Sequence, residues 1–429
     1  MKDTSNKDLF KQIFVVLGGQ SVRTGLGFLA IIMTARLLSV EDFGLFSIFL
    51  AAVALGTELT GKSLDWGLVH FASQHLETAR KKSYLYFKAV FKIRIIISAI
   101  IILLAFGLVE FIANDIFEKP EYETPLLLAS LGTIAMSLWW FTLAVAQAKE
   151  KFTLHAILNC TNGILKVAAV GILFYWNVQT LGTVLFTYVL SFFAMFVVGM
   201  VLIPKTFFKA QGSDKEAISE VLHFSKWALV ANLIIIVQSQ SAIFFLGYFE
   251  NAAAVGKFSS AWNLIYGIDI MVFALMTVLL PKVSKAKGKK ELTAYMKKSF
   301  LISILLSVLF IPVLIYGEPF VILIYSDKFS DVGLIFQILL LGSLISLPAH
   351  PISLVLFSMN QPKYYAYVWA VILVLTFIGY IIVIPQFSVT GAAVVSFGMK
   401  ILQGILIVGV CYFLVNRPEP IAPLAEESL

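Results

Sequence analysis

Charge is scarce in this chain of 429 residues: 13% of it is Asp, Glu, Lys or Arg, against 59% hydrophobic residues. With a mean hydropathy of +0.91, that balance excludes a soluble globular protein built around one core. Cysteine is nearly absent. Cys160 and Cys411 both sit inside apolar runs, so they build no disulfide framework and report no redox compartment. G-x-S-x-G and H-E-x-x-H are missing, as is an acidic pair in an aqueous loop suited to sugar transfer. Those gaps exclude most membrane enzymes. The net charge of +7 is spread over short loops rather than gathered on one face, so nucleic acid is excluded as a partner. The first apolar run lacks an A-x-A-type cleavage site and is too long for a signal-peptide core; it reads as retained.

What the chain has is apolar runs of spanning length. They fall at about 12–37, 43–65, 86–113, 124–148, 153–175, 180–203, 224–248, 252–280, 293–317, 332–357, 364–385 and 389–415. Each is long enough to cross about 30 Å of hydrocarbon at about 1.5 Å per residue. With the N-terminus in the cytoplasm, the inward loops and tails hold 25 Lys and Arg, Lys62, Lys88, Lys92 and Arg94 among them. The outward loops hold only Arg36, Lys119, Lys257 and Lys328. Such asymmetry places both termini inside, and an odd number of spans would scramble it. The longest inward connections fall near 66–85, 204–223 and 281–292, the longest outward ones near 114–123 and 318–331.

The hairpin from Gln12 to Trp66 is used twice. An acidic turn, Ser39-Val40-Glu41-Asp42, precedes Gly44-Leu45-Phe46-Ser47; 212 residues later Glu250-Asn251 precedes Gly256-Lys257-Phe258-Ser259. Similar offsets relate Lys149-Glu150-Lys151 to Gln361-Pro362-Lys363, and Leu181-Gly182-Thr183-Val184 to Thr390-Gly391-Ala392-Ala393. The polar stretch from Pro204 to Glu220 is the natural boundary. The expected architecture is an all-α integral membrane protein: twelve transmembrane helices in two pseudo-symmetric six-helix halves, 1–210 and 211–429, around a central cavity.

Three cations lie near the middle of spans: Arg23, Lys166 and Lys400. On insertion scales a central Arg or Lys costs about 2.5–3.5 kcal/mol, so such residues are rarely kept without a use. Asp269 is the matching acid, and Glu58, Lys62 and Asp65 are spaced to share a helix face. One reading is a water-filled cationic cavity that receives an anionic head group. The other is internal ion pairing, for example Arg23 with Asp269, that only holds helices together. Asp269 and Glu58 are also candidates for a coupling proton or sodium ion. Asn232, Gln238, Ser239, Gln240 and Ser241, then Asn263 and Tyr266, and Asn159 and Asn162 before Lys166, fit either a wet interior or interhelical hydrogen bonds. Gly18, Gly19, Gly25 and Gly27 read as close packing or bending points. His155 and His350 carry no assignment, and Trp139, Trp140 and Trp176 read as packing or interface aromatics.

The layout, the basic residues inside the bundle and the L-x-x-x-(E/D)-(D/E)-F-G-x-F-S turn from Leu38 to Ser47 resemble the multidrug/oligosaccharidyl-lipid/polysaccharide exporter superfamily. Within it, the chain resembles the Wzx-like O-antigen flippases over about residues 12–415. Lipid II flippases usually have fourteen spans, and drug/cation antiporters typically carry an acid in the first span, where this chain has Arg23. The resemblance implies transport of an undecaprenyl-pyrophosphate-linked oligosaccharide, for O-antigen or capsule and exopolysaccharide, across the bacterial inner membrane by alternating access. It implies no enzymatic activity and no cofactor beyond a coupling ion. The implied partners are the lipid-linked glycan, membrane lipids and the polysaccharide polymerase machinery. Arg23, Lys166, Lys400 and Lys62 would receive the pyrophosphate or acidic sugars; Gln238, Gln240, Asn263 and Tyr266 would face the sugars. The alternatives are a drug or cation antiporter of the same fold and, further off, a membrane polysaccharide polymerase or ligase.

Overall fold

The computed structural model describes residues 6–76, 79–203, 205–209, 214–284, 286 and 288–417; side chains of 6–17 and of part of 266–287 lie outside that description. Among the described residues there is no strand. Contacts divide the chain into two compact units, Met1–Gly256 and Lys257–Leu429.

The N-terminal unit starts with α1 (Asn6–Leu37) and α2 (Val40–Thr57). A π-helical turn, Glu58–Lys62, leads to α3 (Leu64–Gln74). Then come α4 (Arg80–Phe111), α5 (Glu123–Ala148), α6 (Phe152–Tyr175), α7 (Leu181–Leu202) and α8 (Asp214–Phe249). α1 packs most extensively on α6. Gly19 meets Ala156, Gly163 meets Leu26 and Gly171 meets Met33, a matched progression that makes the two helices parallel. Of the four glycines in α1 read as packing or bending points, Gly19 is a contact; Gly18, Gly25 and Gly27 have open space where a Cβ would go.

The repeated motif is a helix start with a crossing built into it. Ser39 Oγ caps α2 by accepting the Asp42 N–H at 3.0 Å, while Glu41 and Asp42 set negative charge in the first turn, where the helix dipole favours it. Asn251 Oδ1 caps α9 (Ala252–Ser284) by accepting the Ala254 N–H at 2.9 Å, the same offset of 212 residues. A Cβ on Gly44 would overlap the Ala252 carbonyl, and one on Gly256 would overlap the Val40 carbonyl. The two helix starts therefore touch backbone to backbone in a reciprocal contact, which a side chain at either glycine would push apart.

In the C-terminal unit α10 (Lys289–Val308) and α11 (Ile311–Ile315) are followed by α12 (Gly317–Tyr325), α13 (Gly333–Ser346) and α14 (Ala349–Ser358). The last stretch, α15 (Pro362–Val415), has 54 residues and would measure roughly 80 Å if straight. It folds back instead. Ser388 has φ 50° and ψ −133° just after Pro385, and Tyr380 Oη lies 2.8 Å from Ser396 Oγ across the fold. The apolar runs 364–385 and 389–415 are thus the two arms of a hairpin. Lys257 pairs with Asp331 in this unit.

Eight helical stretches among the described residues are long and apolar enough to cross a membrane. α4 shows why lipid must surround them: Leu103 is 74% and Phe106 75% exposed, an apolar surface that water would not tolerate. The protein is a multi-pass membrane protein. Two expected loops are mostly helix. Residues 66–85 hold the rest of α3 and the start of α4, and the stretch 318–331 contains α12. Polar residues in those segments lowered the local hydropathy, but helices ending at a membrane surface carry polar residues and still satisfy their backbone internally.

Candidate functional site

The N-terminal unit is interrupted where its polar residues concentrate. Gly61 takes φ +103° inside the π turn, a conformation that only glycine adopts without strain. Across the break Glu58, Lys62 and Asp65 stay within electrostatic reach of one another, but each has its own partner. Glu58, 5% exposed, accepts a hydrogen bond from Ser63 Oγ, and Asn232 Nδ2 on α8 donates to the same oxygen at 3.0 Å. Asp65 Oδ1 pairs with Arg94 Nη2 at 2.5 Å.

Arg94 overturns an expectation. It was counted among the cations of the inward loops, yet it is fully buried within α4. Its guanidinium also donates to the Gly61 carbonyl at 2.9 Å, to Ser137 Oγ at 3.2 Å and to the Ser137 carbonyl. Arginine's forked donors suit this role, since one group can satisfy a carboxylate and two carbonyls together. The arrangement locks the π turn, α4 and α5 to one another. It was missed because the run of bases from Arg80 to Arg94 resembles a loop flank in sequence.

The cations singled out from the sequence are held differently. Arg23 on α1 stands over Trp140 at 5.4 Å and Trp139 at 5.7 Å from the ring centroids. Lys62 stands over the same Trp140 at 4.5 Å. Lys166 on α6 stands over Phe192 of α7 at 4.7 Å. Among the described residues no carboxylate forms an ion pair with Lys62 or Lys166. In the C-terminal unit Lys400 donates to Ser343 Oγ at 2.7 Å and stands over Trp262 at 4.6 Å. An aromatic face attracts a cation through its quadrupole but adds no charge, so the positive field survives the contact. Lys149, in the turn between α5 and α6, shows the same device over Tyr84 at 4.8 Å; burial pushes its ammonium pKa down, with Tyr84 opposing that shift.

Trp140 is the functional candidate that the sequence reading passed over as packing. Trp139, 1% exposed, does pack; its neighbour gathers two cations from different elements. The adjacent pair Trp139-Trp140 was visible, but nothing local in the sequence ties either ring to Arg23 or Lys62. Gly163 of α6 meets the Arg23 backbone, which sets Lys166 one turn further along the helix that packs on Arg23.

The polar lining candidates are placed only in part. Gln238 and Gln240 are half-buried on α8, where Gln240 Nε2 donates to Ser239 Oγ at 3.4 Å. Asn263 is half-buried on α9. The side chains of Tyr266 and Asp269 lie outside the described residues. A cavity of about 490 Å³ opens within the N-terminal unit, lined by Lys62, Asp65, Trp66, Trp140, Gln147, Asn232 and neighbouring apolar and histidine side chains. A second, of about 460 Å³, lies in the C-terminal unit among Met296, Phe300, Ile352 and Tyr412; its lining suits a hydrocarbon chain rather than a polar group. No cluster of three or more metal-ligating side chains occurs among the described residues.

Comparison with known proteins bears on the family and the fold. The family model "Polysaccharide biosynthesis protein" matches residues 33–333. No curated protein matches the chain. Among solved structures, a lipid II flippase, MurJ, in an inward closed conformation superposes with a TM-score of 0.74 at 16% identity, covering 94% of this chain and 88% of that one. A multidrug resistance MATE family transporter of the MOP superfamily, inward-facing, gives 0.71 at 12% identity over 92% and 94%. A MOP superfamily transporter from Pyrococcus furiosus gives 0.58 at 12% identity over 94% of each chain. At these identities the likeness is one of fold: the chain has the fold of transporters and flippases, not of an enzyme.

Proposed function

Because the chain belongs to the polysaccharide biosynthesis protein family, we propose that it flips a polyprenyl-pyrophosphate-linked oligosaccharide repeat unit from the cytoplasmic to the outer leaflet of the bacterial inner membrane. The observation that carries this reading is the aromatic support of Arg23, Lys62, Lys166 and Lys400. Lys62 and Lys166 form no ion pair with a described carboxylate, and cations set beside aromatic rings inside apolar helices suit an anionic pyrophosphate. Twelve crossings in halves 1–210 and 211–429, both termini cytoplasmic, would let one half rock against the other around a central site. Gln238, Gln240, Asn263 and Tyr266 then face the glycan, while Glu58 or Asp269 takes the coupling proton or sodium ion. The product is delivered on the outer face to the polysaccharide polymerase machinery.

The test is accumulation of lipid-linked oligosaccharide in a deletion strain, complemented by wild type or by Arg23→Ala, Lys62→Ala, Lys166→Ala and Lys400→Ala at matched expression. Intermediates trapped in the inner leaflet, cleared by wild type and not by the variants, are the expected result. Clearance by all four variants would remove the cations from the mechanism. Absence of any intermediate in the deletion strain would point to a drug or cation antiporter.

A further inference from the structure

We infer that the cavity within the N-terminal unit is a saccharide subsite, taking the sugar attached directly to the pyrophosphate; the inference rests on the flippase reading. Its volume of about 490 Å³ falls within the range of small-ligand sites. The walls are largely aromatic and apolar, with a few planar polar groups set among them: Trp66 and Trp140 supply rings, and Asp65, Gln147 and Asn232 supply hydrogen-bonding edges. Flat apolar faces against the ring's C–H groups, with planar side chains at its hydroxyls, form a chemistry suited to a pyranose.

Asp65 decides against an isoprenoid chain. Its Oδ1 is held by Arg94 at 2.5 Å, and Oδ2 has no hydrogen-bond partner among the described residues. Lys62 lines the same cavity, so a pyrophosphate held there sits at the cavity's edge, and the space beyond it is left to the group the pyrophosphate carries. An isoprenoid chain would strand the Asp65 carboxylate and Gln147 without partners, at about 1–3 kcal/mol each. A neutral polyhydroxyl group satisfies both. Position agrees: Trp140 lines the cavity and also supports Arg23 and Lys62. A pyrophosphate drawn to those cations would leave its first sugar next to this pocket. The Gln147 side chain makes no hydrogen bond with a described residue and is exposed to the cavity, which makes it a donor and acceptor available to a hydroxyl.

The full-length protein in nanodiscs is titrated with two probes, undecaprenyl pyrophosphate and undecaprenyl pyrophosphate bearing one N-acetylhexosamine. Wild type is expected to bind the sugar-bearing probe about tenfold more tightly. Trp66→Ala and Gln147→Ala, both at exposed positions that leave the buried network intact, are expected to bring the two affinities together by weakening only the sugar-bearing probe. Lys166→Ala is expected to weaken both probes alike. Equal affinities in wild type, or a preference retained in Trp66→Ala and Gln147→Ala, would overturn the subsite and leave the flippase standing. Failure of wild type to bind either probe would overturn both.

Discussion

Two solutions to a cation inside a membrane helix sit side by side along residues 58–65 and the helices they touch. Arg94 is fully buried and paired with Asp65, with its two terminal nitrogens also donating to backbone carbonyls and a hydroxyl. Lys62, three residues from that aspartate, leans on Trp140 instead and forms no ion pair with a described carboxylate. The first arrangement cancels charge and joins helices. The second keeps charge and leaves it addressable. Charge at depth is therefore no sign of function by itself: Arg94, which also stands over Phe141 at 6.0 Å, is paired with a carboxylate, and Lys62 is not.

The sharpest way to break this contrast is Arg94→Ala. It strands Asp65 without its cation, and losing one member of a buried pair costs about 3–5 kcal/mol. Thermal unfolding in detergent should show a collapse in stability and yield; a wild-type melting profile would reduce the pair to ornament. A smaller, purely steric loss calibrates that result. Gly256→Ala drives a Cβ into the Val40 carbonyl and should cost about 1–3 kcal/mol, the range for overpacking. Gly18→Ala, with open space around it, should be neutral or slightly stabilising in the same assay.

Lys166→Ala should reverse the balance. Removing an aromatic-backed cation is expected to leave unfolding within about 1 kcal/mol of wild type while lowering clearance of lipid-linked oligosaccharide by about tenfold, the equivalent of about 1.4 kcal/mol. A stability loss as large as that of Arg94→Ala would place Lys166 with the scaffold. The finest probe is the ring itself. Trp140→Leu should reduce clearance by about threefold to tenfold, in line with a cation–π contact of about 0.5–1.5 kcal/mol, and Trp140→Phe should restore most of it. Equal behaviour of the two variants would make Trp140 a volume filler.

Much was legible in the letters because it is local. Apolar runs mark helices that lipid can surround; Ser39 with Glu41 and Asp42, and Asn251, mark helix starts; the repeated Gly44 and Gly256 mark a place where a side chain has no room. Each of these depends on neighbours within a turn or two, or on the absence of a Cβ. The same reading brought Arg23, Lys62, Lys166 and Lys400 forward, because a cation in an apolar run is costly wherever it points. Their partners were not legible. Arg94 meets an aspartate 29 residues away, Arg23 meets rings on α5, and no periodicity carries either pairing. Sequence by itself determined that charge would be held inside a helical membrane protein. Which charges are cancelled and which are kept was decided only by tertiary packing, because neutralisation depends on distances of a few ångströms between segments far apart along the chain.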